Sequence, residues 1–243
     1  MRAGVAFRPE LAPWLATRPG EVRCLELSVD EALTASRTSR GGRIRRLPTA
    51  LHAPQMAVLT PGPLDPADLE RVVRSVRTVD PTWISVYLGC RRRPEAELSY
   101  PQPVSLSGAA LGQAIANCRR LIDAGARPLL VENVTAFGIG DGSASPAQFL
   151  NQLCEESGCG LLLDVTALTV DARFGFDPRR WLWDVDRSRV AAMHLGGRTQ
   201  RGVGWWAGRR GGHVSEEAWT LARELADRTP VGTAILQRDG RYS

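Results

Sequence analysis

Short apolar runs recur along the 243-residue chain: GVAF (4–7), VRCLEL (22–27), PTALHA (48–53), TWISVYL (82–88), RPLLVEN (127–133), GLLLDV (160–165), RVAAMHL (189–195) and TAILQ (233–237). Brief continuous runs of this kind are what strands buried on both faces look like. Helical periodicity lies between several of them. Residues 65–79 open at a capping Asp65 and align Leu69, Val72, Val73, Val76 and Val79 on one face. Residues 105–125 end at Gly125, which suits a helix C-terminus. Residues 145–158 begin with Ser145 as cap and Pro146 at the first helical position, and close at Gly158. Residues 215–228 form a further capped amphipathic stretch. Strands alternating with helices, without a linker-like break, predict one α/β domain over residues 1–243, a (β/α)8 TIM-type barrel. A doubly wound open sheet is the alternative. No GxGxxG follows the first strand, which counts against its dinucleotide-binding form.

The polar residues fall in a pattern of their own. The runs end at Glu26, His52, Tyr87, Glu132 and Asn133, Asp164, His194 and Gln237. In a barrel the C-terminal strand ends converge on one mouth, where active sites sit. Two of the three histidines in the chain, His52 and His194, belong to this set. Together with Glu132 and Asp164 they make a donor set suited to one divalent ion, Fe, Mn or Zn. A cation between two buried carboxylates also removes their mutual repulsion. The competing reading is that each is a separately satisfied core polar group, paired with Arg.

Composition narrows the partners. Hydrophobic content is 43%, enough for a full core. Net charge is +5, and all 31 basic residues are Arg. That excess is too small to argue for nucleic acid, and no nucleic-acid-binding motif is present. Basic residues cluster at 37–46, 91–93 and 198–210, the first two reading as solvated loops. The third is the loop GRTQRGVGWWAGRRGGH after the seventh strand, which overhangs the mouth. Its Trp205 and Trp206 read equally as a binding hot spot or as a plug. Trp181 and Trp183 read as core. Five cysteines, an odd number with no CxxC spacing, argue against a disulfide framework and for a reducing compartment. Cys24 and Cys118 read as buried and inert, and Cys90 stands before an Arg run. No signal peptide and no run of ~18 apolar residues appears, so a cytoplasmic protein with no membrane partner is expected.

At these residues the chain resembles the multinuclear non-haem iron-dependent oxidative enzymes, relatives of the oxygenase subunit that makes methanobactin. GVAFRPEL (4–11) is similar to the family's opening strand and loop. LHAP (51–54) carries His52, VENVTAF (131–137) carries Glu132 and Asn133, GCGLLLDVTAL (158–168) carries Asp164, and MHLGGR (193–198) carries His194. GFDPRRWL (175–182) fits the intervening stretch. The resemblance implies a xylose-isomerase-like barrel. It also implies oxidation of a precursor peptide of ribosomal natural products (RiPPs) by two or three iron ions, with a partner protein holding the leader peptide.

The departures are as informative. A family His after the second strand gives way to Ser28, and the Ser-Glu-His of the fourth to a stretch containing Val86 and Tyr87. Arg198 stands for a His, Arg209 and Arg210 for an Asp-His pair, and Gln237 for the last-strand Glu. A multi-iron centre is therefore not expected, and the remaining donors suit at most one ion. On this reading Tyr87 or His213 serves as acid or base, while Asn133, Arg198, Trp205, Trp206, Arg209, Arg210 and Gln237 hold the peptide. The first functional reading is a diverged peptide-tailoring protein with at most one metal. The second is a pseudoenzyme that binds or scaffolds the peptide. The third is an unrelated metal-dependent isomerase or hydrolase. The chain stops just past its last strand, where the family carries a further helix, so incomplete closure, or closure by a partner, is expected.

Overall fold

Each apolar run becomes a strand of one closed parallel barrel. In chain order the strands are β1 (Arg2–Ala6), β2 (Cys24–Ser28), β3 (Thr49–His52), β4 (Ile84–Leu88), β5 (Cys90–Arg93), β6 (Ala96–Gln102), β7 (Leu129–Asn133), β8 (Gly160–Asp164), β9 (Val190–Gly196) and β10 (Thr233–Gln237). The barrel runs β1-β2-β3-β4-β7-β8-β9-β10, and β5 and β6 form a separate two-stranded sheet. The computed structural model describes residues 1–17, 20–35, 47–93, 96–135, 145–197 and 212–238.

Among the described residues the helices are α1 (Ala12–Thr17), α2 (Val29–Ala35), α3 (Pro66–Val79), α4 (Gly108–Asp123), α5 (Pro146–Ser157), α6 (Val165–Asp171), α7 (Pro178–Asp184) and α8 (Glu216–Arg228). Local chemistry sets their ends. Asp65 caps α3 by accepting from the Ala67 amide at 2.8 Å, and Ser145 and Gln148 form a reciprocal capping box on α5. Gly158 then ends α5 in the left-handed region at φ 78°.

The continuous apolar runs are explained by two cores, one on each face of the sheet. Outward residues such as Leu27, Leu51, Val86, Val131, Leu163 and Met193 pack under the helices. Inward residues make a second cluster inside the barrel: Ala6, Cys24, Ala50, Trp83, Leu130, Leu162, Ala192 and Ile235. One residue from each barrel strand or its lead-in contributes. Gly4 is required on β1, because a Cβ there would lie 2.5 Å from the Ile235 side chain and 2.9 Å from the Cys24 carbonyl.

The structure departs from the sequence reading in four places. Arg91–Arg93, expected as loop, lies in β5, which pairs antiparallel with β6. Short helices α1, α2, α6 and α7 give too few turns for a clear period. Trp183, expected in the core, is 55% exposed, and its ring is flanked by the guanidinium groups of Arg187 and Arg228 at 5.0 and 4.4 Å. Closure is complete within the chain, since β10 pairs with both β1 and β9. The basic stretch 37–46 lies outside the described residues.

Candidate active site at the barrel mouth

The apolar ring inside the barrel dictates what stands above it. A strand repeats its direction every second residue. Two positions beyond Cys24, Ala50, Trp83, Leu130, Leu162, Ala192 and Ile235 come Glu26, His52, Ser85, Glu132, Asp164, His194 and Gln237. The lumen thus changes from apolar to polar within one strand period, at the C-terminal end where barrel active sites lie.

His194 is the centre of this tier. It is fully buried, its Nδ1 is 2.9 Å from Glu132 Oε1, and its Nε2 is 2.6 Å from Glu26 Oε2. Burial alone would push the imidazole toward neutrality. The carboxylates of Glu132 and Glu26 overcome this and raise its pKa to about 10. Burial likewise works against the Glu26 carboxylate, but His194, then His52 and the Gln237 amide, hold its pKa down at about 2. At neutral pH the tier therefore contains an imidazolium donating to two carboxylates. His194 supplies the buried cation that the sequence reading assigned to a metal or to Arg.

The other members surround this triad. Gln237 donates from Nε2 to Glu26 Oε1 at 2.9 Å, and its Oε1 is a buried acceptor without a hydrogen-bond partner among the described residues. His52 Nδ1 lies 3.0 Å from Ser85 Oγ and 3.7 Å from Glu132 Oε2. Its ring meets Tyr87 edge-on at 4.9 Å between centroids, and its side chain keeps 12% exposure toward the mouth.

The structure thus brings together His52, Glu132 and His194 from the expected ligand set. Asp164 is in register with His194 on the adjacent strand, but its Oδ1 accepts from the Ala167 amide and caps α6. The helix N-terminus stabilises that negative charge. Asn133 is put to a different use from the one expected. Its amide accepts from the Asp164 N–H at 2.8 Å and donates to the Asp164 carbonyl at 3.2 Å, tying β7 to β8. Ser28, at the position of a family His, forms a reciprocal cap with Glu31 at the start of α2. His213 is exposed at the far end of the seventh-strand loop, where the backbone of Gly212 presses on Gly197. A Cβ on Gly197 would meet the Gly212 carbonyl, so the two ends of that loop touch. Arg198, Trp205, Trp206, Arg209 and Arg210 lie outside the described residues.

Sequence reasoning missed Glu26 as a site residue. The signal was present, because Glu26 ends its strand as the others do. The family pattern drew attention to Ser28 instead, which is also an inward position, one period further along.

Two imidazoles and the carboxylates of Glu132, Asp164 and Glu26 have the composition that one divalent ion accepts. Both nitrogens of His194 are engaged by carboxylates, and among the described residues no three such groups are arranged around a common metal position. A single ion would have to displace one of those hydrogen bonds and draw the side chains together.

Comparison with known proteins agrees with this architecture. The model of the family described as RiPP precursor modification enzyme MbnB/TglH/ChrH matches residues 2–243. A UPF0276 protein of Caulobacter vibrioides is 32% identical over 197 residues, covering 80% of this chain and 70% of that protein. A UPF0276 protein of Bordetella pertussis is 28% identical over 249 residues, covering 98% and 86%. The crystal structure of 3-keto-D-glucoside 4-epimerase YcjR from E. coli superposes with a TM-score of 0.61 at 14% identity, covering 100% of this chain and 94% of that one. That likeness shows the fold alone, a barrel of the xylose-isomerase-like type. No helix among the described residues is long and apolar enough to cross a membrane.

Proposed function

The chain belongs to the RiPP precursor modification enzyme family MbnB/TglH/ChrH, and from that premise we propose that it tailors a ribosomally made precursor peptide at the barrel mouth, using at most one divalent metal ion. Membership sets aside the reading of an unrelated isomerase or hydrolase. The observation that carries the proposal is the contact of His52, Glu132 and His194, far apart in sequence, in one polar tier. A buried charged cluster of this kind adds little stability over apolar packing, so its retention points to use.

His52, Glu132, Asp164 and His194 would hold the ion, Fe, Mn or Zn, which would supply Lewis acidity to a bound amide or thiol. Tyr87 stands against His52 and serves as the proton donor or acceptor nearest the mouth. His213 is the alternative at the base of the loop. Gln237 Oε1, a buried acceptor, would take an N–H of the peptide. Arg198, Arg209 and Arg210 would grip peptide carboxylates, with Trp205 and Trp206 stacking on apolar side chains. A separate protein that holds the leader peptide completes the expected set of partners.

One observation favours a second reading, a catalytically inactive peptide-binding subunit. The Glu26–His194–Glu132 triad is complete without a metal. The experiment that separates the two is coexpression with each short open reading frame next to the gene, with every peptide read by mass spectrometry. A mass change that disappears in His52→Ala and Glu132→Gln supports tailoring. Copurification of an unmodified peptide supports the scaffold. Neither outcome with any peptide refutes both.

A further inference from the structure

A second cluster of reactive side chains lies at the opposite end of β8 from the mouth. Cys118 comes from α4, Cys154 from the last turn of α5, and Cys159 from the residue between the Gly158 cap and β8. All three thiols are free and buried. Cys159 Sγ is 3.7 Å from Cys154 Sγ, and the Cys118 thiol is hydrogen-bonded to Cys159 as well. A surface groove of about 510 Å³ reaches this place, lined by Ser157, Gly158, Cys159 and Arg189 among others. Nothing in the proposed chemistry of the mouth uses these thiols.

We propose that Cys154 and Cys159 are a redox pair that closes to a disulfide when the chain meets a peroxide, Cys159 being the sulfur oxidised first. The electrostatics agree. Hydrogen bonds from Cys118 and Cys154 outweigh burial and hold the Cys159 thiol well below its usual range, while Cys118 and Cys154 are pushed up. The thiolate is the form that attacks a peroxide. Cys159 S⁻ displaces hydroxide from hydrogen peroxide and becomes a sulfenic acid. The Cys154 sulfur then attacks the Cys159 sulfur, the S–S bond forms, and the sulfenic hydroxyl leaves as water with the Cys154 proton. Two thiols lose two electrons in total, and the peroxide is reduced to two waters.

The geometry needs a small movement only. The two sulfurs must approach from 3.7 Å to about 2.05 Å. The residue between the helix end and Cys159 is Gly158, already at φ 78°, where no side chain resists adjustment. The bond would fasten the end of α5 to the start of β8, the strand that carries Asp164 at its other end.

The test is a hydrogen peroxide titration of the purified full chain, followed by denaturing alkylation and intact-mass measurement. Glu-C digestion cuts at Glu155 and Glu156 and so separates the two cysteines. The expected result is two fewer alkyl groups on the intact chain together with the loss of two hydrogens, reversed by dithiothreitol added before alkylation, and a Glu-C peptide pair joined through Cys154 and Cys159. Cys154→Ser and Cys159→Ser lose the pair, while Cys24→Ser and Cys90→Ser keep it. A Cys118–Cys159 link, sulfinic acid at Cys159 with Cys154 still alkylated, or no change in the wild-type chain each overturns the proposal. The wild-type digest decides the matter even where a variant folds poorly.

Discussion

Replacing His194 by Asn removes the imidazolium that stands between Glu26 and Glu132 while preserving polarity and approximate size. The carboxylate side chains are 3% and 0% exposed, so neither can turn to water without rearrangement. Removing one partner of a buried charged set costs about 3–5 kcal/mol. For a chain of this length that corresponds to a melting point lower by roughly 6–20 °C. The pH dependence gives the sharper test. In the wild type His194 titrates near 10, so its contribution is complete below its ordinary 6.5 and fades as pH climbs toward 10. Glu26 titrates near 2, so its contribution is complete above its ordinary 4.5 and is lost as pH falls through 2. The wild-type contribution of these two groups is thus level between 4.5 and 6.5. In His194→Asn the buried Glu26 loses the partner that holds its pKa down, so that pKa rises, and stability falls as pH increases across the same window. Urea unfolding at about pH 5 and about pH 6.5 should show a smaller deficit at the lower value. A deficit below about 1 kcal/mol, or one equal at the two pH values, would refute the reasoning.

Metal analysis after expression in medium supplied with iron, manganese or zinc is expected to give no more than one ion per chain, and two or three would contradict the donor-set argument. Gln237→Glu places a further carboxylate against Glu26 and is expected to raise metal uptake while costing about 1–3 kcal/mol of stability in the metal-free protein, read by thermal melts with and without chelator. Leu163→Ala, under the helices, is expected to cost about 2–5 kcal/mol in urea unfolding, whereas Trp183→Ala on the surface stays within about 1 kcal/mol. Asn133→Ala removes two hydrogen bonds to the Asp164 backbone, and amide exchange should show the β7–β8 pairing loosened.

The barrel was legible because its signal is redundant. The strands in the middle of the chain are buried on both faces, so they appear as continuous apolar runs, and Asp65, Ser145 and Gly158 mark helix ends by their own chemistry. The tier at the mouth was legible for a related reason. A polar residue two positions beyond a lumen residue shares its direction, and His52, Glu132, Asp164 and His194 all obey that spacing. What the sequence could not show is how the polar groups satisfy one another. Whether Asp164 faces His52 or caps the next helix is decided by the turn after β8, and whether Asn133 faces a peptide or a strand is decided by register. The role of Glu26 depends on closure of the barrel, which brings residues 26 and 194 into contact across 168 positions of sequence. Trp183 misled because hydrophobicity alone does not register two guanidinium groups able to cover an exposed ring.

The chain has three histidines, which makes the protonation of His194 directly observable. Nitrogen-15 NMR of the histidine-labelled, chelator-treated protein at about pH 8, above the ordinary imidazole range, is expected to show one imidazolium with both nitrogens protonated, absent from the spectrum of His194→Asn. Three neutral imidazoles at that pH would contradict the charged triad on which the account of the mouth rests.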